Sequence, residues 1–270
     1  MEKIINANCL ITDKLTEEQI GFFNQNGYLH IQGFLNNETV SSVIKSVKEV
    51  EKKWLKEKRT SVNGVPLKFG KDLDGSTFIQ RFAFTSLHHP YLHGLLKGPR
   101  FNSLLALLGK GGRIGEEEKD GMVINHYLNY ENSKFTQMGW HTDSVRDFFY
   151  GKRIKPMLNV GLHLDDFSLS NGGLRLLPGT HTQNLYQMLF RKSNFRDNEA
   201  DPLEVGFDIK AGDLTIHDGR LWHRVAKSTV YGESSRRRVI YIPFITGKIN
   251  KKNEESRSPL YFKFQHLAKF

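Results

Sequence analysis

Apolar residues recur at two different periods along this chain, and the change of period divides it. After Asn36 or Asn37, the positions Val40, Val43, Ile44, Val47, Trp54 and Leu55 fall at helical spacing while Lys and Glu fill the other face, which predicts an amphipathic packing helix. Ahead of it, Thr16-Glu17-Glu18-Gln19 fits a capping box, so a short helix is expected to open there and stop near Asn26-Gly27. Residues 27–33 then read as a strand. Asn63-Gly64 signals a hairpin between short apolar runs, and residues 76–84 predict another strand. Residues 90–108 predict two short helices, with Pro99 suited to a first helical turn and Gly109 to a C-cap.

From Gly121 onward the helical period gives way to short apolar runs. Residues 122–130, 157–166, 174–177, 214–217 and 239–245 predict strands, separated by Gly, Asn, Asp and Pro clusters. Helices first and strands afterwards predict a helical layer buttressing one β-sandwich. A length of 270 residues suits a single all-β domain, here with a core of about 15–245 and a basic tail over 247–270. No internal repeat is evident, and 192–201 is the most polar loop.

Composition narrows the chemistry. Cys9 is the only cysteine, which excludes an intramolecular disulfide and a thiolate metal cluster, so any metal site must use His and carboxylates. A hydrophobic fraction of 38% without any run of about eighteen apolar residues argues for a globular chain rather than a membrane span. Residues 1–8 lack the apolar core of a signal peptide, so a cytoplasmic protein is expected. The net charge of +10 favours anionic partners, whether nucleic acid or a small anionic substrate. It is concentrated in 45–59, in Arg236-Arg237-Arg238 and in 248–263, where the first and last are expected to be a solvated helix face and a mobile tail.

His141-Thr142-Asp143 is the leading candidate metal site. On a strand, residues i and i+2 share a face, so this His and Asp can grip one ion, with His223 as a third ligand from another strand. Two His and one carboxylate on one side of an ion form the facial triad of non-haem Fe(II) oxygenases. The His-x-Asp spacing alone is unspecific: about one match is expected by chance. A second one, His163-Leu164-Asp165, is present, and chain topology alone leaves both open.

The order of several motifs resembles the phytanoyl-CoA dioxygenase family of Fe(II)- and 2-oxoglutarate-dependent oxygenases, over about residues 15–244. The pieces are Leu15-Thr16-Glu17-Glu18-Gln19-Ile20 with Asn26-Gly27-Tyr28-Leu29; Trp140-His141-Thr142-Asp143; Leu164-Asp165-Asp166; Asn171-Gly172-Gly173-Leu174-Arg175-Leu176-Leu177-Pro178-Gly179-Thr180-His181; Gly212-Asp213-Leu214; and Leu221-Trp222-His223. The resemblance implies a mainly β fold, a double-stranded β-helix of the jelly-roll, cupin-like class with buttressing N-terminal helices. It implies Fe(II) held by His141, Asp143 and His223, with 2-oxoglutarate and dioxygen as cosubstrates, succinate and CO2 as coproducts and a hydroxylated small molecule as product. Leu164-Asp165-Asp166 matches the family's strand end before the Asn-Gly turn, which makes His163 and Asp165 structural.

By the same alignment, Arg237 is the cation for the far carboxylate of 2-oxoglutarate, with Arg236 and Arg238 as the alternatives. Strand alternation puts those two on the opposite face, where they are expected to be solvated. Asn125 and Tyr127 share one strand face and are further candidates for cosubstrate or substrate contacts. Val225 departs from the small hydroxyl residue common two positions after the distal His, and the spacing from His223 to the Arg cluster is slightly long. Asp143 favours hydroxylation over halogenation, because related halogenases lack this carboxylate. Trp140 is expected to pack, Gln137 flanks the motif, and His217 is expected behind the ligands or in the core. His181 is expected to steady the Pro178-Gly179-Thr180 turn, and His88 and His89 to shape a loop before Pro90. Arg81, Arg146 and Arg153 are expected in surface salt bridges. Two other readings are a nucleic-acid dealkylase with the same iron chemistry, which lacks a recognised binding motif here, and a catalytically silent jelly-roll binding module.

Overall fold

Local signals place the first elements in the computed structural model, which describes residues 14–131, 133, 135–145, 147 and 153–258. Helix α1 (Glu17–Asn26) starts at a complete capping box between Thr16 and Gln19 and ends on Gly27, whose φ of +80° is the left-handed conformation that glycine adopts without strain. Strand β1 (Tyr28–Ile31) follows. Asn36 then accepts from the Thr39 backbone N–H at 2.9 Å and caps α2 (Asn37–Lys56). Val40, Val43, Val47, Val50 and Trp54 form its buried face. The Asn63-Gly64 turn, with φ of +47° and +76°, joins β2 (Ser61–Val62) to β3 (Val65–Pro66) as the positive-φ rule for tight hairpins requires.

The remaining elements are β4 (Lys68–Lys71), β5 (Thr77–Phe82), α3 (Pro90–Leu96), α4 (Pro99–Ser103), β6 (Arg113–Ile114), β7 (Val123–Tyr127), β8 (Met138–His141), β9 (Met157–His163), β10 (Gly173–Leu176), α5 (Leu185–Phe190), β11 (Leu214–Asp218), β12 (His223–Ala226) and β13 (Arg237–Ile245). Two sheets face each other. The large one runs β1-β11-β9-β13-β7-β5-β4, with β6 also on β13, and the small one runs β10-β12-β8; every pairing is antiparallel.

The large sheet and the helices share the main core, which includes Val43, Trp54, Ile79, Phe82, Leu92, Phe101, Ile240 and Phe244. The small sheet alternates. Trp140, Leu177 and Trp222 form one buried cluster, while the residues next to them in sequence, His141 and His223, line the cavity between the sheets.

Two expectations change. Arg236 and Arg238 are not solvated: Arg236 pairs with Asp72 and Glu233, and Arg238 with Asp165 through both Nε and Nη2. The described start of the tail is also tied down. Lys251 bridges to Glu118 and pairs with Glu117, while Asn63 Nδ2 donates to the Lys252 carbonyl. Cys9, Arg146 and residues 259–270 lie outside the described residues. Among those described, no helix is long and apolar enough to cross a membrane.

Candidate metal centre

His141 and His223 are Cα partners across the β8–β12 pair, so antiparallel register alone sets two imidazoles side by side. Their ring centroids are 4.1 Å apart. Each ring is oriented from behind: His141 Nδ1 bonds the Gly139 carbonyl at 2.7 Å, and His223 Nδ1 bonds the Leu221 carbonyl at 2.9 Å. With Nδ1–H donating, Nε2 is left as the lone-pair atom, which is the tautomer a metal ligand needs. Asp143 does not share a strand face with His141 as expected: β8 ends at His141, and Asp143 completes the group from the turn that follows, with one ligand atom from each of the three within 4.8 Å of the others. The donor set therefore fits a borderline divalent ion such as Fe(II).

The protonation states agree. Burial holds both imidazoles below the usual His value, His223 well below it, so both are neutral at neutral pH. Burial opposes ionisation of Asp143, but the facing His223, His217 and His141 outweigh it and hold the carboxyl well below its usual range. Two neutral nitrogens and one carboxylate need no deprotonation before binding a cation.

The cavity beside these ligands has a volume of about 150 Å³. Asn125 and Tyr127 line it, joined by an Asn125 Nδ2–H that donates to the Tyr127 hydroxyl at 3.3 Å. Arg237 is buried against the Tyr127 ring, 5.5 Å from guanidinium carbon to ring centroid. Its Nη2 donates to the Ala226 carbonyl at 3.2 Å, while Nε and Nη1 have no hydrogen-bond partner among the described residues. Burial pushes Arg237 down to about 10, so it is still a cation at neutral pH. A buried cation with unused N–H groups fits a missing anion such as a carboxylate.

The second His-x-Asp pair is occupied otherwise. His163 Nε2 bonds Thr215 Oγ1 at 3.0 Å, and Asp165 is taken by Arg238. Val225 lines the cavity as an apolar wall, and Trp140 is buried with its Nε1–H on the Glu199 carbonyl. Gln137 is partly buried beside β8, and Arg153 is exposed. His181 Nε2 meets the Asn24 carbonyl and so ties its turn to α1. His89 pairs with Glu49, and the His88 ring packs on Trp54. Arg81 is not on the surface: it pairs with Asp120 at 2.9 Å, and both line the cavity.

Lys68, Lys119 and Phe195 are among the cavity residues that escaped the sequence reading. Burial and the nearby Arg81 push Lys68 down to about 8, and Lys119 meets both oxygens of Asp147. Phe195 stacks on His141 with a centroid separation of 4.5 Å and a φ of +62°. That strained conformation persists because Phe195 N–H donates to the Trp140 carbonyl at 2.7 Å and Trp140 N–H to the Asp197 carbonyl at 2.7 Å. The approach also needs Gly139, where a Cβ would lie 2.9 Å from the Phe195 and Asp197 backbone. Polarity marked 192–201 as a loop, and nothing local in it signals that one aromatic turns inward.

Comparison with known proteins follows the same lines. The chain is 24% identical over 219 residues to a "Probable alpha-ketoglutarate-dependent hypophosphite dioxygenase" of Stutzerimonas stutzeri, covering 76% of this chain and 71% of that one. Its fold is similar to the non-heme alpha ketoglutarate dependent carbocyclase SnoK from nogalamycin biosynthesis, with a TM-score of 0.63, 18% identity, and coverage of 95% and 91% of the two chains. It is also similar to HygX from Streptomyces hygroscopicus, solved with nickel and 2-oxoglutarate bound, with a TM-score of 0.61, 16% identity, and coverage of 88% and 89%. These likenesses establish the double-stranded β-helix expected from the sequence. The description of the phytanoyl-CoA dioxygenase family matches residues 23–229, so the chain belongs to that family.

Proposed function

We propose that the protein is an Fe(II)- and 2-oxoglutarate-dependent dioxygenase that hydroxylates a small molecule, with His141, Asp143 and His223 as iron ligands and Arg237 as the anchor for the far carboxylate of 2-oxoglutarate. The observation that carries this reading is the convergence of three ligand atoms within 4.8 Å on a cavity, with a buried guanidinium nearby whose Nε and Nη1 lack a partner among the described residues. Family membership supports it, as do relatives and neighbours named for 2-oxoglutarate-dependent chemistry on small molecules. Neither the dealkylase nor the silent-module reading has comparable support.

When bound, iron with 2-oxoglutarate and dioxygen supplies the oxidising power to place oxygen on a C–H bond, with succinate and CO2 as coproducts. The chain does the rest. Carbonyls of Gly139 and Leu221 fix the ligating tautomers, Arg237 fixes the cosubstrate by a charge-assisted fork, and Asn125 with Tyr127 supplies polar contacts on the same wall. Phe135, Phe195, Val225 and Tyr241 wall the cavity and exclude water. In this reading the substrate is anionic, supported by the positive side chains Lys68, Arg81 and Lys119 around the cavity. The reading also takes the chain as one cytoplasmic domain.

The test is succinate formation by the purified protein with and without Fe(II) and 2-oxoglutarate. Turnover should require both and be lost in His223→Ala. A His223→Ala protein as active as wild type would contradict the assignment.

A further inference from the structure

His217 is a buried polar side chain whose bonding capacity the fold leaves unspent. It is fully buried, and neither ring nitrogen has a hydrogen-bond partner among the described residues. An imidazole in that state costs free energy, because it has left water without gaining a replacement bond. Its surroundings show where the missing bond points. Nε2 lies 3.4 Å from Asp143 Oδ2, and the ring packs on His223 with a centroid separation of 4.2 Å. Across the β9–β11 pair its Cα partner is Asn159, whose Nδ2 donates to the same Oδ2 at 2.9 Å. Two cross-strand neighbours on the large sheet thus converge on one oxygen of a carboxylate that is carried by the turn after the small sheet's β8.

We infer that Asn159 and His217 form a cross-strand clamp on Asp143, in which both are positioning residues that hold the carboxylate in its metal-binding orientation. The clamp rests on the reading that His141, Asp143 and His223 take a metal ion. Its chemistry is suited to that task. An amide N–H and an imidazole N–H are both donors that can fix a carboxylate oxygen in one orientation, which is what a ligating carboxylate needs from its surroundings. Asp165 is the contrast: Arg238 holds it through its backbone N–H, Nε and Nη2, and its guanidinium neutralises it.

The test is titration of the metal-free, full-length protein with Co(II), followed by visible absorbance, with Mn(II) binding by electron paramagnetic resonance as the second ion. Asn159→Ala and His217→Leu should each weaken binding by about 10–100-fold, the usual effect of losing a partner that orients a ligand. His217→Gln, which keeps an N–H, should stay within a few-fold of wild type. A thermal melt of the metal-free His217→Leu protein should be no lower than wild type, because an unpartnered polar group has been replaced by an apolar one. A merely structural His would behave in the opposite way, with a lowered melt and unchanged affinity. Unchanged Co(II) affinity in both Asn159→Ala and His217→Leu, or equal losses in His217→Leu and His217→Gln, would overturn the clamp. Wild-type Co(II) affinity in His223→Ala would overturn the triad itself, and the clamp with it.

Discussion

The chain carries His-x-Asp twice, at His141-Thr142-Asp143 and His163-Leu164-Asp165, and the two copies differ in almost everything except spacing. At the first, both rings of the His141–His223 pair are held through Nδ1 by backbone carbonyls, and the carboxylate meets an amide and imidazoles. At the second, Nε2 of His163 is bonded to Thr215, and the carboxylate is closed off by Arg238. One copy keeps its ring Nε2 atoms turned to the cavity and its carboxylate in no ion pair with Lys or Arg among the described residues. The other spends both on joining β9 to β11 and β13. The same three-residue pattern thus becomes a candidate metal site or a structural joint according to what the neighbouring strands bring to it.

Substitutions in the two copies should separate sharply. Asp143→Ala and His141→Ala should each bring succinate formation below detection, while His163→Ala should retain turnover within a few-fold; the readout is succinate per mole of iron-loaded protein. Arg237→Ala removes a buried charge-assisted contact worth about 2–5 kcal/mol, most of it expressed as weaker 2-oxoglutarate binding measured by calorimetry. Arg236→Ala and Arg238→Ala should leave that binding near wild type, because their partners are Asp72, Glu233 and Asp165. A large effect at either neighbour would reassign the anchor.

What could be read in advance followed the range of the physics. Both N-terminal helices are written in local patterns, the Thr16–Gln19 box and the apolar stripe of α2, and they form as the pattern requires. Motif order pointed to the candidate triad, whereas the strand alternation expected to put His141 and Asp143 on one face does not apply, because β8 ends at His141 and Asp143 sits in the turn after it. Strands β8 and β12 enter the sequence reading only as the strands that carry His141 and His223, without bounds, since four residues such as Met138-Gly139-Trp140-His141 carry too little period to mark their ends. Arg236 and Arg238 were misplaced because alternation tells which face a residue takes and not which acids wait there. Lys68 and Phe195 reach the cavity only through tertiary placement, and the pairing of Asn159 with His217 depends on the register of strands more than fifty residues apart.

Smaller effects sharpen the comparison from the structural side. Asp165→Ala strands the Arg238 guanidinium and should cost about 1–3 kcal/mol in denaturant unfolding, with turnover retained. His163 adds a pH signature. Burial pushes it down to about 3, against about 6.5 when unfolded, so the unfolded chain takes up a proton first as the pH falls. Its neutral burial is therefore fully stabilising above 6.5, and that stability is lost progressively towards 3. Between pH 7 and 5.5 the loss is about 1.3 kcal/mol for one such group, and His163→Gln should flatten the unfolding profile by that amount.

The most direct measurement is anomalous diffraction at the iron edge from crystals loaded anaerobically with Fe(II) and 2-oxoglutarate. A single anomalous peak in contact with His141 Nε2, the Asp143 carboxylate and His223 Nε2 is the predicted result. A peak beside His163 and Asp165, or none within reach of His223, would contradict the assignment of the metal centre.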